Sequence, residues 1–235
     1  MLTDDRANVS RRVVLFDVGQ TLVRARPDIG EMFWRVSTEL GYRVDRRRAV
    51  RLQPLVYGYY DAEYLKDGDF WCCQDRSVLI WLDMYALMCR EMGLGDEVDR
   101  IPRMMYDRYL DARSWEVYDD VVACLTRLRR QGCRLAAVSN WSNHLEGLLR
   151  DLGLLPYFDE VVASAAVGLR KPDPAIFRLA LERLGASPDR AVHVGDSYEA
   201  DVCGALNADI EGVLLDREGR SRRAGCRTIA SLREL

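Results

Sequence analysis

The sequence predicts an α/β protein, a doubly wound parallel sheet carrying an inserted all-helical module. Three observations lead there. Five short apolar runs recur in the outer parts of the chain, at residues 13–16, 135–138, 161–163, 191–194 and 212–215. Each is apolar almost without interruption, the pattern of a parallel strand covered on both faces rather than of a strand with one wet face. Amphipathic stretches at 119–130, 143–152, 173–184 and 199–205 separate them, and strand alternating with helix gives a Rossmann-like sheet. The third observation is a break in this rhythm. Between residues 28 and 114 the pattern predicts only helices, over 30–40, 46–65, 75–92 and 96–112.

Each part then takes its place in order. Residues 1–27 supply the first strand and its loop, 28–114 an all-helical domain, and 115–235 the remainder of the sheet domain. Aromatic and methionine side chains concentrate in the helical part (Trp34, Tyr57, Tyr59, Tyr60, Trp71, Trp81, Met84, Met88, Met104 and Met105). A stripe of this kind at helical spacing is expected to be a small domain's own core.

Composition narrows the possible functions. Hydrophobic residues are 49% and charged residues 30%, a balance that supports a packed core. The net charge of −3 argues against general nucleic-acid binding, which needs excess basic charge; the arginines at 46–48 and 220–223 are read as solvated faces. No apolar run approaches the roughly 18–20 residues of a membrane span, and the polar stretch at 1–12 lacks a signal-peptide core. The seven cysteines form no C-x-x-C pair, and His144 and His193 lie near none that could share a zinc ion. Reduced thiols in a cytoplasmic protein are expected. Only Lys66 and Lys171 are lysines among 34 basic residues, so each is a candidate for a task that arginine's broad fork cannot perform.

In an open α/β sheet, ligands bind beyond the carboxyl ends of the strands. Asp17-Val18-Gly19-Gln20-Thr21-Leu22 follows the first predicted strand, and Ser139-Asn140 the second. Lys171-Pro172 lies between the third and fourth, and Gly195-Asp196-Ser197 with Asp201 follows the fourth. A strand-end carboxylate can attack phosphorus or carbon to form a covalent intermediate. A second acidic cluster suits a hard divalent cation. The cation and a lysine together neutralise charge on a transferring phosphoryl group.

These segments, Phe-Asp-x-x-x-Thr-Leu, Val-Ser-Asn, Lys-Pro-Asp-Pro-x-Ile-Phe and His-Val-Gly-Asp-Ser-x-x-x-Asp, resemble in type and order the four motifs of the haloacid dehalogenase-like hydrolases. The helical module resembles that superfamily's cap domain, inserted after the first motif. The resemblance implies that Asp17 is the nucleophile, Lys171 the charge-neutralising lysine, and Thr21, Ser139 and Asn140 the phosphate-binding residues. It implies Mg²⁺ held by Asp17, the Gly19 carbonyl and Asp196, with Asp201 in support, and a small phosphorylated metabolite as substrate. It also implies an aspartyl-phosphate intermediate.

One position departs from the pattern. The superfamily's phosphatases resemble one another in a second aspartate, two residues after the nucleophile, that serves as general acid and base. Gly19 stands there in this chain. The cap residues Tyr60, Asp61, Glu63 and Lys66 are candidates for replacing it, and Trp141 and His144 for lining the cleft. Two alternatives stay open: a protein that binds a phosphorylated ligand or partner without turnover, and a hydrolase of neighbouring dehalogenase or phosphonatase chemistry. His193, in mid-strand, is expected to be a satisfied core residue.

Overall fold

A computed structural model describes residues 12–95, 99–219 and 225–235. The arginines at 220–223, most of the polar stretch at 1–12 and the first residues of the helix expected over 96–112 lie outside them. The chain opens with β1 (Val13–Phe16), which turns tightly into β2 (Val23–Ala25). Five helices follow: α1 (Ile29–Glu39), α2 (Arg46–Val50), α3 (Gln53–Lys66), α4 (Gln74–Glu91) and α5 (Arg100–Leu110). The chain returns through β3 (Trp115–Val117) and continues as α6 (Val121–Arg130), β4 (Arg134–Ser139) and α7 (Leu145–Asp151). After β5 (Glu160–Ala163), α8 (Ser164–Val167), α9 (Pro174–Leu184) and β6 (Ala191–Gly195) comes a π-helical turn, Tyr198–Cys203. α10 (Gly204–Leu206), β7 (Glu211–Leu215) and β8 (Arg227–Ile229) complete the fold.

The main sheet has six parallel strands in the order β5-β4-β1-β6-β7-β8. β1 lies at its centre, bonded to β4 and β6, which begin far away in sequence. Alternate side chains of β1 feed opposite layers, as period-two geometry requires. Val14 and Phe16 pack with Leu125, Leu135 and Leu148 on one face. Val13 and Leu15 pack with Ile176, Phe177 and Leu181 on the other. Both faces are therefore dry, which is why the strand sequences are apolar throughout.

The insert has a core of its own, in which Phe33, Val36, Met84, Tyr85, Met88, Ile101 and Met105 are buried together. Gly30 lets α1 cross α2 closely, because a Cβ there would stand 2.5 Å from the Val50 Cα. The single helix expected over 46–65 is divided in two, with Arg51 and Leu52 between α2 and α3. Pro54 in the first turn of α3 explains the break, since proline starts a helix readily and cannot continue one. β2, β3 and β8 have three residues each, too short for a period to register in the sequence. β2 and β3 pair antiparallel, so the two connections to the insert run side by side, joined by the Arg24–Glu116 ion pair at 2.8 Å. No helix among the described residues is long and apolar enough to cross a membrane.

Candidate active site

Asp17 occupies the first position beyond β1, tied to the sheet by its N–H donating to the Val194 carbonyl at 2.9 Å. The chain then folds back on itself, with the N–H groups of Leu22 and Val23 both donating to the Val18 carbonyl. Ser139 ends β4, and Asp196 follows β6. The π-helical turn after Ser197 brings Asp201 under the same edge. Its capping bond is Ala200 N–H to Ser197 Oγ, 3.1 Å, and such wide turns recur at functional sites. Gly195 is required here: a Cβ on it would lie 2.1 Å from the Asp201 Cγ.

These elements bring Lys171 between two carboxylates. Its Nζ donates to Asp17 Oδ1 at 2.6 Å and to Asp201 Oδ1 at 2.5 Å, with all three side chains buried. Ser139 Oγ donates to the same Asp17 oxygen at 2.9 Å. Asp201 also receives the Ser197 N–H at 2.9 Å and lies 2.9 Å from His193 Nε2. Ligand oxygens of Asp17, Asp196 and Asp201 all lie within 4.8 Å of one another.

The electrostatics follow from this inventory. Burial raises the carboxyl pKa of Asp17, the Lys171 ammonium opposes that, and the net result lies above the ordinary carboxylate value. Burial acts on Asp201 in the same sense, but Lys171 and the His193 hydrogen bond outweigh it and hold the group below that value. Burial alone would push the Lys171 ammonium down; Asp17 and Asp201 reverse this and carry it above the usual lysine value. Desolvation first, then the Asp17 and Asp201 charges, push the Asp196 carboxyl well up. Asp196 is nevertheless open to water at the rim of the cleft, so crowding by like charges is the cause to weigh most. His193, fully buried with its Nε2 on Asp201, is pulled down by desolvation and stays neutral at neutral pH.

Asp17, Gly19, Ser139, Asn140, Lys171, Asp196 and Asp201 all line one cleft of about 450 Å³ between the sheet edge and the insert. Thr21 is the exception. It is fully buried, its hydroxyl has no hydrogen-bond partner among the described residues, and it does not line the cleft. The Asn140 side chain is committed to Lys171: Oδ1 accepts the Lys171 N–H at 2.8 Å, and Nδ2 donates to its carbonyl at 3.0 Å. Of the candidates on the insert, Tyr60 and Asp61 line the cleft, whereas Glu63 and Lys66 pair with each other at 3.2 Å outside it. Trp141 lines it and His144 does not.

Sequence reasoning missed the brace from the insert. Arg170 donates to the carbonyls of Phe70 and Tyr64, both at 3.0 Å, with its guanidinium 4.4 Å from the centre of the Tyr64 ring. The Tyr64 hydroxyl donates to the Lys171 carbonyl. The insert thus helps to fix the backbone that carries the lysine. A signal existed only in Arg170 standing next to Lys171.

A doubly wound parallel sheet whose edge gathers a buried carboxylate, a lysine and a three-carboxylate cluster defines a class of hydrolases. A family model for haloacid dehalogenase-like hydrolases matches residues 11–209, and the chain belongs to that family. It is 31% identical over 216 residues to the haloacid dehalogenase-like hydrolase domain-containing protein 3 of Danio rerio, covering 88% of this chain and 86% of that protein. It is 37% identical over 124 residues to the phosphoserine phosphatase of Thermus thermophilus, 52% of this chain and 50% of that one. Among solved structures, a HAD phosphatase from Thermococcus onnurineus superimposes with a TM-score of 0.67 at 28% identity, covering 95% of each chain.

Proposed function

We propose that this protein is a magnesium-dependent phosphohydrolase acting on a small phosphorylated metabolite through an aspartyl-phosphate at Asp17. The observation that carries the reading is the bridging of Asp17 and Asp201 by Lys171 inside a cluster of three carboxylates. Three acids against one ammonium leave the cleft with excess negative charge. Converging carboxylate oxygens are the donors that a hard divalent ion prefers, so the residues fit Mg²⁺. Asp17, Asp196 and the Gly19 carbonyl are the proposed ligands, with Asp201 in support. Bound there, the ion supplies neutralisation of phosphoryl charge.

The chain's own residues do the rest. Lys171 opposes the desolvation of Asp17 and favours the ionised form that attacks phosphorus. Ser139 holds the nucleophile through the same oxygen and leaves Oδ2 without a hydrogen bond among the described residues. His193 and the Ser197 N–H orient Asp201, which in turn orients Lys171. The insert serves as the cap, closing the cleft over the phosphoryl group. The relatives named phosphatases support this reading over dehalogenation.

The test is phosphate release from phenyl phosphate by the purified protein in magnesium, in excess chelator, and with Asp17→Asn. Release that requires both the metal and Asp17 is expected. Undiminished release in chelator would remove the metal, and an active Asp17→Asn would remove the nucleophile. Gly19 favours a second reading, binding without turnover. It predicts tight binding of a metal fluoride together with no release from any phosphate ester.

A further inference from the structure

The groups lining the cleft divide into a charged floor and an aromatic wall. The floor is the Asp17, Lys171, Asp196 and Asp201 cluster. The wall comprises Tyr60, Trp71, Trp81, Tyr109, Trp115 and Trp141. Four of these come from the insert and two from the sheet domain, and they meet in one run of ring contacts. Trp81 stacks on Tyr109 at 4.9 Å, Tyr109 on Trp141 at 5.5 Å, and Trp141 lies 4.9 Å from Trp115. Tyr60, Trp81, Tyr109 and Trp115 are only half-buried, so the wall keeps surface available inside the cleft.

The position beside Asp17 is part of this wall. A Cβ on Gly19 would meet the Trp141 ring edge at 3.2 Å, although the backbone there is not left-handed and tolerates a side chain. Glycine at 19 therefore leaves room for an indole, which now stands where a side chain two residues beyond the nucleophile would project.

A census of proton donors near the nucleophile points the same way. The Ser139 hydroxyl donates to Asp17, and Lys171 is held between two carboxylates. The Tyr64 hydroxyl donates to the Lys171 carbonyl. The Tyr60 oxygen accepts the Trp71 indole N–H at 2.8 Å, and burial makes that phenol a weaker acid than usual. Asp61, exposed on α3, and Tyr109 are the remaining acids of the wall; the Tyr109 hydroxyl has no hydrogen-bond partner among the described residues, and burial makes it a far weaker acid than an ordinary phenol.

We infer that the substrate is an aryl phosphate monoester, whose flat ring lies against the aromatic wall and whose oxygen leaves without being protonated by the protein. The inference rests on the phosphohydrolase reading of this site and adds the chemistry of the leaving group. An Asp17 carboxylate oxygen forms a bond to phosphorus as the bond from phosphorus to the aryl oxygen breaks. The electron pair stays on that oxygen, which departs as phenolate and takes its proton from water. Water then attacks phosphorus, the bond to Asp17 breaks with its pair returning to the carboxylate, and the water proton passes to solvent. A phenol ionises near pH ~10, far more readily than an aliphatic alcohol, so the first step needs no acid. Aromatic faces stack favourably on a planar ring.

The experiment compares kcat/KM of the intact protein, in magnesium, for phenyl phosphate, ring-substituted phenyl phosphates, benzyl phosphate and glycerol phosphate. Rates are expected to rise with the acidity of the phenol. Benzyl phosphate keeps the ring but loses the acidic hydroxyl, and is expected to be at least ~10²-fold slower, the lower bound of what general acid help supplies. Trp141→Leu is expected to raise KM for phenyl phosphate more than for acetyl phosphate, which carries no ring. Equal rates on benzyl, glycerol and phenyl phosphates overturn the inference and leave the phosphohydrolase reading standing. If Asp61→Asn then abolishes the alkyl reaction, Asp61 is the acid. Equal effects of Trp141→Leu on both KM values also overturn it. No release from any ester, phenyl phosphate included, overturns both readings.

Discussion

Replacing Lys171 by methionine isolates the electrostatics of the site from its shape. The side chains are similar in length and Lys171 is buried, so packing changes little. The charge balance changes completely. Asp17 and Asp201 would lose the ammonium now held 2.6 and 2.5 Å from their oxygens. Two carboxylates whose oxygens lie within 4.8 Å would then face each other unscreened. At that separation and an effective dielectric near ~20, the repulsion is about 3 kcal/mol, and removing one partner of a buried ion pair costs about 3–5 kcal/mol by experience. The two routes agree, so Lys171→Met is expected to lose about 3–5 kcal/mol at about pH 7 in metal-free buffer. The pH dependence supplies the sign. In the native protein the carboxyl pKa of Asp201 is depressed, so its contribution is present above the unfolded value and lost as pH falls. In the variant both carboxyls are raised, so the folded state binds protons more readily than the unfolded chain and recovers stability as pH falls. Urea unfolding of both proteins at about pH 7 and about pH 5 measures this, with the gap narrowing at the lower pH. A variant as stable as the native protein at neutral pH, or a gap that widens with acid, would show that Lys171 does not hold the two carboxylates together.

Three further predictions follow from distances at the site. Gly19→Asp alone should gain little on alkyl phosphates, because the Trp141 ring stands 3.2 Å from the new Cβ; paired with Trp141→Ser it should gain between ~10² and ~10⁴-fold, measured as kcat/KM on glycerol phosphate. Gly195→Ala drives a methyl into Asp201, 2.1 Å from its Cγ. It should cost about 1–3 kcal/mol in urea unfolding and weaken magnesium binding in calorimetry. Arg170→Ala removes two hydrogen bonds from the sheet domain to the insert; amides of α3 should exchange faster by mass spectrometry while those of β1 and β6 do not change.

What was legible in the sequence was what local pattern encodes. The five predicted strands are strands because both faces are buried, and apolar runs such as Val13 to Phe16 say so without knowledge of partners. Asp17, Ser139 and Asp196 follow such runs directly, so their place at one sheet edge could be inferred from topology alone. Thr21 could not be placed, because the turn back onto Val18 decides which way its hydroxyl faces and leaves no periodic trace. His193 and Asp201 are eight residues apart, joined through a π-helical turn that ordinary helical spacing does not suggest. Tyr64 and Arg170 meet across 106 residues, and the Trp141 ring, placed where a Cβ on residue 19 would meet it, comes from a similar distance along the chain. Long-range meetings of this kind depend on how the insert sits against the sheet, which no local signal specifies.

If Asp17 carries the phosphoryl group, it can be trapped there. The protein is mixed with excess phenyl phosphate and magnesium, quenched in acid within a turnover, reduced with borohydride and mapped by mass spectrometry. Borohydride converts a phosphorylated aspartate to homoserine. Homoserine is expected at position 17, and at no other aspartate, only in samples that received substrate. Homoserine at Asp196, Asp201 or Asp61 instead, or phosphate release during turnover with Asp17 never converted, would contradict it.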